Sequence, residues 1–212
     1  MISKTKIKLR ILNFIFFLLL ILVSIRTVIR NADWKDPLTL MRKDILHLNE
    51  SAQAHNLLAL NLMEVSTSES STDSSFNLNL QLEAIQHFKM AAKIYPSFFN
   101  VWYDLGRVYT LHNNFSLAKS AFEKAYAIDN NSLLVLEELV KTCFNLKLID
   151  ELELYGTTYL KKDEFNEIVH ELLAYIMFIN NKFEKSIYYA KNGLNYYPNN
   201  RNLQLILSDS KK

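Results

Sequence analysis

Few side chains in this 212-residue chain could do chemistry: five histidines, one cysteine and scattered carboxylates and hydroxyls. His47, His55, His87, His112 and His170 include no pair at the i, i+3 or i, i+4 spacing that sets two ligands side by side on a helix, so no metal is expected. Cys143 stands alone, which excludes an intramolecular disulfide and a thiolate-rich metal site, and its register places it inward as an unreactive thiol. No Ser-His-Asp set or carboxylate pair can be named. With three glycines and no G-x-G-x-x-G or Walker-type run, no phosphate-cradling loop or cofactor is expected either. Catalytic residues are therefore expected to be none, and the chain is expected not to be an enzyme.

What these side chains can do is bind. Positions 2, 5, 9 and 12 of successive first helices in a unit of about 34 residues do not point into a core. They hold Asn100, Tyr103, Arg107 and Thr110, then Leu134, Glu137, Lys141 and Phe144, then Ile168, Glu171, Tyr175 and Phe178. Such a mixture suits a peptide: aromatic and aliphatic groups give contact area, while Arg107, Glu137, Lys141 and Glu171 could fix its register. Phe144, Tyr175 and Phe178 would otherwise leave apolar surface in water. Residues 99–200 are mildly acidic, at −3, and residues 1–48 carry +6, so no electrostatic footprint for nucleic acid is present.

The elements that position these residues are read from the spacing. Trp102, Leu105, Gly106 and Tyr109 share one helix face; Ala118, Phe122 and Ala125 share another. Gly106 and Ala118 lack bulk where the two helices approach, leaving room for aromatic rings. This stretch resembles a tetratricopeptide repeat. The pattern recurs as Leu152, Gly156 and Tyr159 and again as Ser186, Ala190 and Gly193, with His55, Leu58, Ala59 and Leu62 opening an earlier unit and Ala84, Phe88 and Ala91 closing it. His55 and His170 fall where Trp102 packs, which reads as structural packing. The expected fold is all-α: one N-terminal transmembrane helix followed by a tetratricopeptide-type right-handed α-solenoid of four helix pairs. The expected segments are a basic tail 1–10, a membrane helix 11–29, a juxtamembrane amphipathic segment 30–50 and repeats 51–98, 99–132, 133–166 (degenerate) and 167–200, with a cap at 201–212. The first repeat carries a Ser-rich insertion, 66–79, expected to be an exposed inter-helix loop.

Ile11 to Ile25 is apolar except for Asn13 and Ser24. That is about 15 residues, some 22 Å of helix, and it reaches across a bilayer when Lys8, Arg10 and Arg26 extend to the interfaces. A cleaved signal peptide is the rival, but Ser24 to Ile29 is bulky and basic rather than small, which favours an anchor. Asp36 and Pro37 read as a helix start, with Trp34 as an interfacial anchor.

Arg30, Asn31, Trp34, Leu40 and the run Ser51 to Leu58 are similar to the tails of the transmembrane and tetratricopeptide-repeat proteins, an O-mannosyltransferase group. In that group the catalytic acids lie in a multi-span portion upstream. Residues 1–212 hold one span, so no catalytic residue is carried over. The expected function is a single-pass membrane scaffold that binds a protein or peptide on its concave face. The alternative is the non-catalytic C-terminal part of an O-mannosyltransferase-like membrane enzyme. The charge bias before the span and this resemblance together place the repeats on the exported side.

Overall fold

The computed structural model describes residues 4–31, 36–68 and 74–211, apart from the side chains of residues 4–9 and 30. Among the described residues there are helices α1 to α11 and no strand. The chain forms two compact units that divide between Ala84 and Ile85.

In the first unit, α1 (Lys4–Asn31) runs unbroken for 28 residues. That is about 42 Å of helix, against ~30 Å of bilayer hydrocarbon. Within it Arg10–Ile29, of mean hydropathy 2.5, is long and apolar enough to cross a membrane by length and composition. Trp34 lies outside the described residues. Asp36 caps α2 (Pro37–Asp44) by accepting from the Thr39 N–H at 2.7 Å, and this bond holds its carboxyl below the usual carboxylate pKa. Within the amphipathic segment 30–50 expected from the sequence, the helix ends at Asp44, where the chain passes into turns.

Ser51 then caps α3 (Ala52–Thr67), whose buried stripe includes His55, Leu58, Ala59 and Leu62. Of the segment 66–79 expected to be a loop, both ends are helical, and residues 69–73 lie outside the described residues. Ser66 and Thr67 end α3, and α4 (Ser74–Ile94) already begins at Ser74. The hydroxyls of Ser66 and Thr67 donate to the Met63 carbonyl and that of Ser68 to Val65, so these polar side chains satisfy themselves along the helix. Arg42 on α2 grips the Glu83 carboxylate on α4 with Nε and Nη2.

The second unit is strictly periodic. The first helices α5 (Phe99–Leu111), α7 (Leu133–Asn145) and α9 (Glu167–Ile179) alternate with second helices α6 (Phe115–Ile128), α8 (Ile149–Leu160) and α10 (Phe183–Tyr196). Each pair packs together, and each second helix also packs on the next first helix. Every turn within a pair repeats one device: Asn113, Lys147 and Asn181 take left-handed φ of 55°, 57° and 57°. The next residue's N–H then reaches back to the carbonyls of Tyr109, Cys143 and Met177, which closes the first helix as a Schellman cap.

The core of this unit trades volume between columns. Gly106 in α5 faces Phe122 in α6, and a β-carbon there would meet the ring at 2.5 Å. One repeat on, the same two columns hold Val140 and Gly156, and then Ala174 and Ala190. Gly156 makes room for Leu173 on α9. The helix α11 (Arg201–Asp209) occupies the register of a further first helix and packs on α9 and α10. Leu203 and Ile206 are buried, but the columns that pack inward elsewhere as Gly106 and Tyr109 hold Ser208 and Lys211 here, so the outer face is polar.

Candidate peptide-binding groove

First helices are joined to the preceding second helix by turns with their own recurring bonds. Ser132, Asn166 and Asn200 stand one repeat apart, and each accepts a backbone N–H three residues on as an N-cap. Three residues into each of four first helices, a side-chain N–H reaches back six residues to a carbonyl: His55 to Asn49, Trp102 to Pro96, His170 to Glu164 and Gln204 to Pro198, at 2.7–3.0 Å. These carbonyls require Nε2–H on both histidines, so the two rings act as turn clamps, in line with their expected structural role. Nδ1 of His170 is buried without a partner.

With the turns fixed, α7, α9 and α11 line a groove of about 580 Å³. Phe144 comes from α7, while Glu171, Leu172, Tyr175 and Phe178 come from α9. Asn202, Leu205, Ile206 and Asp209 come from α11. The Phe144 and Tyr175 rings meet at 5.8 Å, and Tyr175 and Leu205 are 42% and 52% exposed. Four of the expected binding residues, Phe144, Glu171, Tyr175 and Phe178, are thus brought together. Asn202, Leu205 and Asp209 were missed, although stepping one repeat beyond Ile168, Glu171 and Tyr175 names them.

The remaining candidates sit outside this groove's lining, and several are bonded within the protein. Tyr103 stacks on Phe99 at 6.3 Å and leans on Phe122 at 6.0 Å; burial raises its phenol pKa. Arg107 lies over the Tyr103 ring and pairs with Asp104 at 3.6 Å, while burial pushes the Asp104 carboxyl up. Asn100 and Leu134 are exposed. Lys141 bonds Glu137 at 2.6 Å and Glu138 at 3.1 Å; burial works against its charge, but the two carboxylates outweigh this and hold its pKa above the usual lysine value. Glu137 also accepts from Asn166 Nδ2, and one repeat later Glu171 accepts from Asn200 and Asn202. These glutamates therefore hold the cap of the next repeat.

Elsewhere the groups are closed off. Burial lifts the Cys143 thiol to about 12, which suits its inward, unreactive placement. A second cavity of about 440 Å³ lies between α8 and α10, where the Tyr189 hydroxyl is tied to Glu153 and that of Tyr196 to Glu164.

No family model and no curated protein matches the chain. Solved structures do match it in fold. YrrB, described as a TPR protein with an unusual peptide-binding site, is 16% identical over 80% of this chain and 81% of its own, at a TM-score of 0.63. MamA is 12% identical over 79% of this chain and 91% of its own, at 0.64. MamA from Desulfovibrio magneticus RS-1 gives 13%, 72% and 83%, at 0.58. These matches carry the repeat architecture and not the O-mannosyltransferase likeness of residues 30–58. The chain has the fold of tetratricopeptide-repeat proteins.

Proposed function

We propose that this protein is a membrane-anchored, non-catalytic scaffold that holds a peptide segment of a partner protein against α7, α9 and α11. The observation that carries this reading is the groove itself, where exposed Tyr175 and Leu205 continue the apolar surface of half-buried Phe144 and buried Ile206 into solvent. An open apolar trough of this size, edged by carboxylates and an amide, suits a chain with alternating apolar side chains and a backbone to be oriented. The peptide-binding description of YrrB, a protein of like fold, supports the same reading. In the proposal α1 anchors the chain, with Lys4 to Arg10 cytoplasmic and the repeats exported.

The test is selection of binding peptides from a random library on the full chain in lipid nanodiscs. Tyr175→Ala is expected to weaken the selected peptides about tenfold or more, since aromatic anchors carry interface energy, without lowering the melting temperature appreciably. Selected peptides that bind Tyr175→Ala unchanged would show that the groove is not the site.

A further inference from the structure

We infer that the groove takes a segment carrying lysine or arginine beside apolar or aromatic side chains; this rests on the peptide-binding reading above. The charged side chains that line the groove are Glu171 and Asp209. The donors bonded to Glu171 are the neutral amides of Asn200 and Asn202, which orient its carboxylate without cancelling its charge. The cation on the neighbouring first helix, Lys141, is spent on Glu137 and Glu138. An acidic segment laid here would bring like charges together in a partly desolvated trough, whereas a lysine or arginine would meet two carboxylates and the face of Tyr175. The apolar floor supplies area for any hydrophobic peptide, and the carboxylates decide which charge accompanies it.

The experiment uses the full chain in nanodiscs and three synthetic peptides of one length and apolar content, whose central residues are basic, neutral or acidic. Fluorescence anisotropy is expected to give the basic peptide at least about tenfold tighter binding than the acidic one at low salt, and a smaller ratio at high salt. Asp209→Asn is expected to cut that ratio several-fold. Glu171→Gln, which keeps its acceptor oxygen for the asparagines, is the second charge variant, and Tyr175→Ala is expected to weaken all three peptides. Equal binding of the three peptides, still lost in Tyr175→Ala, would overturn the charge selectivity and leave the groove reading standing. Binding indifferent to Tyr175→Ala, or no binding by any peptide, would overturn both.

Discussion

A β-carbon on Gly106 would sit 2.5 Å from the Phe122 ring, and Phe122 has no exposed surface into which it could retreat. The ring must therefore move or α5 and α6 must separate. Gly106→Ala is expected to destabilise the second unit by about 1–3 kcal/mol, the usual cost of overpacking, and to lower the melting temperature by several degrees. Restoring volume with Phe122→Leu in the same chain should return part of that loss. The next repeat uses the same remedy, with Val140 and Gly156 in the two columns. A melting temperature unchanged by Gly106→Ala in a circular-dichroism melt would show that this packing is looser than the geometry requires.

Between elements, the junction at Asn166 joins three parts of the fold. Its Oδ1 caps α9 at Val169, and its Nδ2 donates to Glu137 on α7 and to the Tyr159 hydroxyl on α8. Asn166→Ser keeps a capping oxygen, as Ser132 does one repeat earlier, but loses the two donated bonds; a cost of about 1 kcal/mol is expected. Asn166→Ala loses the cap as well and should cost about 2–3 kcal/mol, as read by thermal unfolding of both variants. Equal losses would mean that the cap adds nothing, and no loss in Asn166→Ser would mean that the bonds to Glu137 and Tyr159 add nothing. This junction also marks how far the sequence is legible. The repeat period shows in Leu105, Leu139 and Leu173 and in Phe115, Ile149 and Phe183, because small and apolar residues recur wherever helices touch. The use of Glu137 and Glu171 does not show, since a carboxylate on a first helix looks the same whether it meets a ligand or the next cap. The start of the Ser-rich stretch misleads for a related reason: serine and threonine favour loops on composition, yet Ser66 and Thr67 bond back to their own helix. The residues of the groove were half legible, ending where the period was no longer followed into α11.

At the scale of the whole molecule, the proposal places α1 in a bilayer and the repeats on the exported side. Cys143 has no exposed surface and a thiol raised to about 12, so it should leave almost no labelling background under native conditions. A thiol introduced by Ser208→Cys, on the exposed side of α11, is expected to react in intact cells with a maleimide that cannot cross membranes. Reaction only after permeabilisation would put the repeats in the cytoplasm. The central claim, that a partner peptide lies against α7, α9 and α11, is tested most directly by photo-crosslinking in native membranes with a benzophenone amino acid in place of Tyr175, compared with the same probe at Tyr188. Tyr188 is 59% exposed on α10 and lies outside this groove. The account predicts a discrete crosslinked partner from position 175, competed away by a selected peptide, and none from position 188. Crosslinks from 188 alone, or from 175 that no groove-binding peptide displaces, would contradict it.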